Sequence, residues 1–193
     1  MTDAGSLRDE PFEVDVAARD VVFDGRVWDI VSDRFAYGDG ELTREYTAHP
    51  GAAAIVALDA EGRMLLIQQY RHPIGERDWE LPAGLLDVPG ESPLAAAQRE
   101  LAEEADLVAG DWQELGAVHP SPGGSSELIR LFLARDLSAT DAAFARDAEE
   151  ADIRVEWVPL DDAVRAVVEG RFRNAITGMG VLLAAERRRG DAR

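Results

Sequence analysis

The sequence predicts an α+β fold in which helices cover a mixed sheet, preceded by a small antiparallel β appendage. Three observations lead there. Ala52 to Leu58 and Met64 to Tyr70 are near-continuous apolar runs joined by the polar turn Asp59-Ala60-Glu61-Gly62, too short and too closely spaced for helices, so they read as buried strands. Asp-Gly pairs at 24–25 and 39–40 stand between strand-like segments, a strong hairpin signal. The order of elements is strands, helix, strands, helices, which suits a layered domain around one sheet.

Taken in order, residues 1–10 are a polar, acidic tail and 12–48 form the β appendage, with Asp24-Gly25 and Asp39-Gly40 as its turns. A piece of that size is marginal alone and needs a surface to pack against. His49-Pro50-Gly51 breaks the chain, and residues 49–193 form the main domain. After the two buried strands, Trp79 to Leu81 is a short strand ended by Pro82. The clearest helix begins with Ser92 as N-cap and Pro93 at its first position, carrying Leu94, Ala97, Leu101, Ala105 and Val108 on one stripe. Strands are expected at Glu114 to Val118 and Leu128 to Ala134, with the turn-rich stretch His119 to Ser126 between them. Asp136 to Asp152 is an acidic loop or short helix, Ile153 to Val158 a strand, and Asp161 to Glu169 and Asn174 to Arg189 are helices.

Composition narrows the function. The 193 residues carry 38 acidic and 20 basic side chains, a formal charge of −18, and every basic residue is arginine. Such an excess disfavours nucleic acid and anionic membrane surfaces as partners. No cysteine is present, which excludes disulfide scaffolds, thiolate metal sites and a cysteine nucleophile. No run reaches the ~20 apolar residues of a membrane helix, and the N-terminus lacks the basic-then-apolar order of a secretion signal, so a cytoplasmic location is expected.

The informative segment is Arg99-Glu100-Leu101-Ala102-Glu103-Glu104. Glu100, Glu103 and Glu104 stand at i, i+3 and i+4 and share one helix face. Like charges there cost the helix roughly 0.2–0.5 kcal/mol per pair. Hard divalent cations prefer such an array of carboxylate oxygens; a solvated acidic face is the simpler reading of the spacing alone. Upstream stand Gly84 and Glu91, and the pattern E-x7-R-E-L-x-E-E over Glu91 to Glu104 resembles the Nudix box. With Glu80-Leu81-Pro82-Ala83-Gly84 before it, the stretch from Glu80 to Leu107 looks like the ADP-ribose pyrophosphatase branch of the Nudix hydrolases. Two positions depart from the box: six residues instead of five separate Gly84 from Glu91, and Asp106 replaces the late glycine. Aspartate tolerates the left-handed conformation that ends a helix better than most residues do.

The resemblance implies a Nudix-type α/β/α sandwich and a Mg²⁺-dependent reaction, Mn²⁺ being possible, in which ADP-ribose is hydrolysed to AMP and ribose 5-phosphate. By it, Glu100, Glu103, Glu104 and the carbonyl of Ala83 would ligate the metal, and Arg99 would hold the glutamates in place. Arg71, in Gln68-Gln69-Tyr70-Arg71, would contact substrate phosphate. Gly123 and Glu127, in Ser121-Pro122-Gly123-Gly124-Ser125-Ser126-Glu127, would line the substrate loop. The catalytic base would be Glu149, with Glu150 second or as an extra ligand. Trp28 would stack on adenine and Arg44 touch it, within a domain-exchanged homodimer built through the N-terminal piece. Read without the family, Arg71 is a surface arginine after a strand, and Glu149 and Glu150 are loop charges.

Two rival functions stay open at this point. One is hydrolysis of another nucleoside diphosphate sugar, and the other is a non-catalytic nucleotide sensor of the same fold. The intact carboxylate set counts against the sensor. The three histidines each precede proline and do not pair at metal-ligand spacing, no G-x-S-x-G elbow is present, and Gly178-Met179-Gly180 suggests close helix packing.

Overall fold

The computed structural model describes residues 7–142, 144 and 152–191. They form two compact units, one running to His49 and including Gly123–Ser125, the other comprising Pro50–Pro122 and the chain from Ser126 onward.

The first unit is an antiparallel sheet of β1 (Val16–Phe23), β2 (Asp29–Tyr37) and β3 (Gly40–Ala48), with β2 central. Its second turn falls on Gly38-Asp39 instead of Asp39-Gly40, because Tyr37 already pairs with Gly40 and the left-handed φ of 59° is taken by Gly38. Its first turn is longer than a tight hairpin. Val27 and Trp28 lie outside the strands, and the Gly25 N–H donates to Asp29 Oδ1 at 3.3 Å. Any side chain at Gly25 would collide with the Trp28 carbonyl. Between the strands Arg19 faces Asp33, which is buried, and grips it with two hydrogen bonds of 2.7 and 2.6 Å. The Tyr46 hydroxyl also donates to Asp33, at 3.1 Å. The Arg19 guanidinium holds the Asp33 carboxyl below its usual range, while burial and then Asp33 raise the Tyr46 phenol. Gly124 joins this unit by accepting from the Thr47 N–H at 3.0 Å.

The second unit is an α/β/α sandwich. One sheet has the order β7-β4-β9-β8, from β7 (Ala83–Leu85), β4 (Ala52–Ala57), β9 (Ile129–Ala139) and β8 (Leu107–Val118). β4 and β9 run parallel and the other pairs antiparallel. The other sheet is β10-β5-β6, from β10 (Arg154–Pro159), β5 (Arg63–Arg71) and β6 (Glu76–Glu80). All six β4 residues are buried, as its unbroken apolar run requires. Alternate side chains enter opposite layers. Ala53, Ile55 and Ala57 pack with Ala96, Ala97 and Leu101 of α1 (Pro93–Ala105). Ala52, Ala54 and Val56 pack in the layer of α2 (Leu160–Val168) and α3 (Ala175–Asp191), with Leu160, Ala163, Val181 and Ala184. In α3, a methyl group at Gly180 would come within 2.6 Å of Leu81 and 2.9 Å of Val56, so the expected close packing is present.

Several elements differ from expectation. The short strand at 79–81 is β6 with an earlier start, and β7 follows Pro82 without any sequence signal. β8 begins directly after α1 and β9 runs on to Ala139; Gly110, Asp111 and a register shift between Glu114 and Gly116 interrupt the period-two pattern that would have revealed the full length. Leu94 and Val108 are exposed, so the buried face of α1 is narrower than the stripe, comprising Ala96, Ala97, Leu101 and Glu104. Of the acidic stretch 136–152, the first four residues belong to β9, while 143 and 145–151 fall outside the described residues.

Candidate active site

The carboxylates of α1 are fixed by both ends of the helix. Ser92 Oγ accepts from the Ala95 N–H at 3.2 Å, and Pro93 occupies the first turn, where its missing N–H costs nothing. At the far end Asp106 adopts φ 54° and ψ 37°, and its N–H reaches back to the carbonyls of Ala102 and Leu101. Fully buried Leu101 seats the helix on the sheet, contributing roughly 1.5–3 kcal/mol.

Arg99 is the organising residue. Its Nε and Nη2 donate to the two oxygens of Glu91 at 3.1 Å each, and its Nη1 donates to Glu100 Oε1 at 2.6 Å and Glu103 Oε2 at 2.9 Å. The hydrogen bonds to Glu91 are the largest influence raising the guanidinium above its ordinary value, against the cost of burial. A planar fork suits this work where a lysine ammonium would not. Glu104, also buried, turns Oε2 to the Ala83 N–H at 2.9 Å, which ties the helix to β7. Gly84 makes room beside it, since a side chain there would occupy the position of the Glu100 carboxylate.

A cleft of about 380 Å³ collects these groups, lined by Gln69, Arg71, Ala83, Gly84, Leu85, Asp87, Arg99, Glu100, Glu103 and Glu104. Arg71 reaches diagonally across β6 and forms a two-pronged ion pair with buried Glu80, at 2.8 and 2.7 Å. A larger hollow of about 450 Å³, lined by Leu94, Trp112, Phe132 and others, lacks such an array; its charged residues Glu114 and Arg130 pair with each other at 2.7 Å.

Six of the residues expected from sequence, Arg71, Ala83, Arg99, Glu100, Glu103 and Glu104, thus meet in one cleft. Glu127 does not line it; its carbonyl accepts from His119 Nδ1 at 2.8 Å. Trp28, Arg44 and Gly123 belong to the first unit, where Trp28 stacks on His49 with ring centres 4.5 Å apart and Arg44 donates to the Thr43 carbonyl at 2.7 Å. Glu149 and Glu150 lie outside the described residues. Sequence reasoning missed Gln69, Glu80 and Asp87. The Arg71–Glu80 contact gives no sequence signal, because the ladder sets Glu76, and not Glu80, opposite Arg71, and Glu80 stands in a strand that is itself largely charged.

Among the described residues no three carboxylates or histidines are already gathered as a metal cage, for Glu100 and Glu103 converge on Arg99 Nη1 and Glu104 on Ala83. The donor set nevertheless fits a hard divalent cation: the carboxylate residues Glu100, Glu103 and Glu104 line one polar cleft with Ala83, and Gly84 leaves the space that the Glu100 carboxylate fills.

Residues 48–176 match the NUDIX domain family. The chain belongs to the Nudix family. Nudix relatives include an ADP-ribose pyrophosphatase of Mycobacterium tuberculosis, 47% identical over 145 residues that cover 75% of this chain and 70% of the relative. Another, an ADP-ribose pyrophosphatase of Bacillus subtilis, is 33% identical over 85% of this chain and 88% of its own length. The Nudix fold is matched by the crystal structure of an ADP compounds hydrolase, with a TM-score of 0.78 and 20% identity over 95% of this chain and 98% of the other. Nudix hydrolases generally require a divalent metal.

Proposed function

We propose that this chain is a Nudix diphosphate hydrolase that uses Mg²⁺, or Mn²⁺ in its place, to split ADP-ribose into AMP and ribose 5-phosphate. The observation that carries the reading is one cleft lined by Glu100, Glu103, Glu104 and Arg71, with Arg99, itself anchored by Glu91, binding Glu100 and Glu103. Support for the substrate comes from the two ADP-ribose pyrophosphatases, of which the first is 47% identical.

In this reading Glu100, Glu103, Glu104 and the Ala83 carbonyl hold the cation, whose chemistry is to neutralise diphosphate oxygens and make a water nucleophilic at neutral pH. Arg99 keeps the glutamates aligned. Arg71 contacts a phosphate of the substrate, its two-pronged bond to Glu80 fixing its direction. Water adds to one phosphorus, the bridging P–O bond breaks, and Glu149 takes the proton, with Glu150 as second candidate. Trp28 and Arg44 contact the adenine end, and Gly123 and Glu127 the substrate loop, in a homodimer formed through the N-terminal sheet. The location is cytoplasmic; no helix among the described residues is long and apolar enough to cross a membrane.

The test is turnover of ADP-ribose, other nucleoside diphosphate sugars and dinucleotides with and without Mg²⁺, products being separated by chromatography. AMP and ribose 5-phosphate are expected from ADP-ribose, and only with the cation. No turnover of any substrate would defeat the enzyme reading. Faster turnover of another sugar nucleotide, GDP-mannose for example, would move the substrate assignment alone.

A further inference from the structure

Gln69 and Asp87 are polar residues of the cleft wall that the proposed reaction leaves unused, and of the two Gln69 is the buried one. The residue is 4% exposed, it lines the cleft with Glu100, Glu103 and Glu104, and its Oε1 is buried with no hydrogen-bond partner among the described residues. A buried acceptor without a donor destabilises the fold that contains it. Gln69 stands opposite Asp78 in the β5–β6 ladder, and the flanking Arg71, whose guanidinium could serve, commits Nε and Nη2 to Glu80. The carboxylates that share the cleft are acceptors and cannot satisfy another acceptor. Phosphate oxygens of a bound diphosphate, ionised at neutral pH, cannot either. Water and a substrate hydroxyl are the donors that occupation of the cleft would bring to it.

We infer that Gln69 is a positioning residue for the divalent cation, its amide oxygen accepting a hydrogen bond from a water molecule of the cation's hydration shell. This rests on the proposed metal-dependent reading of the cleft. Mg²⁺ held by few carboxylates keeps several waters, whose hydrogens are strong donors where this cleft is rich in acceptors. The terminal amide torsion of glutamine is soft, so a small rotation turns Oε1 toward the cleft without moving β5. The interaction orients the cation's shell and ligates nothing directly.

The experiment measures Mn²⁺ binding without substrate, by electron paramagnetic resonance titration, for the wild type, Gln69→Met and Gln69→Glu, with thermal melting of each metal-free protein. Methionine has a similar length and no acceptor oxygen, whereas glutamate keeps one. Gln69→Met is expected to melt at or above the wild-type temperature, since a solitary acceptor is removed, yet to bind Mn²⁺ roughly 3- to 10-fold more weakly. Gln69→Glu should bind at least as tightly as the wild type. Unchanged Mn²⁺ affinity in Gln69→Met, with or without a higher KM for substrate, would overturn the inference and leave the metal reading standing; a higher KM would point instead to a sugar hydroxyl as the donor. A wild type that binds no Mn²⁺ would overturn both. If Gln69→Met does not fold, a Gln69→Glu protein that binds Mn²⁺ more weakly than the wild type overturns the inference, and one that binds at least as tightly supports it.

Discussion

Gly84→Ala tests how the carboxylate cluster is held. The glycine does not adopt a left-handed φ, so alanine is compatible with the backbone of β7. The added methyl group would nevertheless fall on the Glu100 side chain, meeting its carboxylate and Cγ. That obstacle is the end of a flexible side chain, so Glu100 moves and the strand stays. What is lost is the 2.6 Å bond between Arg99 Nη1 and Glu100 Oε1. A charge-assisted bond of this kind contributes about 1.5–3 kcal/mol when buried. The two side chains are 31% and 14% exposed, so solvent returns part of it to global stability. The melting temperature should therefore shift by only a few degrees. Turnover of ADP-ribose depends on where the carboxylate sits, and a loss of that size at about 1.4 kcal/mol per factor of ten lowers kcat/KM roughly 10- to 100-fold. A second substitution, Glu100→Asp, withdraws the carboxylate by one methylene and should hurt less in the Gly84→Ala background than in the wild type. Wild-type kcat/KM in Gly84→Ala, or strictly additive losses in the double variant, would refute the steric account.

Glu104→Gln should lower metal-dependent turnover by at least about 100-fold, because the charge is lost, yet leave circular dichroism unchanged, because the amide oxygen still accepts from the Ala83 N–H. Gly180→Ala should destabilise the chain by about 1–3 kcal/mol in urea unfolding, its methyl group pressing on Leu81 and Val56 from within α3. Asp33 has a folded pKa below its unfolded one, so its contribution to stability is complete above about pH 4 and disappears as pH falls through the folded value. Stability of Asp33→Asn should accordingly lack the part of the acid loss that Asp33 causes below pH 4. Tyr46 is shifted the opposite way, and its phenolate absorbance at 295 nm should appear above the ordinary value of about 10.

The parts of this molecule that follow from local chemistry could be read from its residues. Ser92 and Pro93 mark where α1 begins, Asp106 where it ends, and the i, i+3, i+4 glutamates share a face because helix geometry puts them there. The unbroken apolar run of β4 announces burial on both sides. What could not be read depends on pairing at a distance. The Gln69 amide and the Arg71–Glu80 pair acquire meaning only when β5 and β6 lie together, and β7 exists because β4 offers it an edge. The bulge near Gly116 moves the side-chain period by one residue, which hides half of β8 from a pattern search. Leu94 has the right spacing for the core but sits in the first helical turn, where it borders a surface hollow.

The position of β4 gives the enzyme a built-in stability gauge. Its amides donate within the sheet to neighbours on both edges, including Ala52 to Leu128 at 3.1 Å and Ile55 to Pro82 at 2.8 Å, and side chains seal both faces. Exchange of those hydrogens with heavy water requires the whole sandwich to open, so the β4 amides should be among the slowest of the chain and report global unfolding. The amides closing α1 around Asp106 stand at a helix end and can exchange through local fraying. Comparing the two rates with and without cation would separate tightening of the cleft from stabilisation of the entire domain.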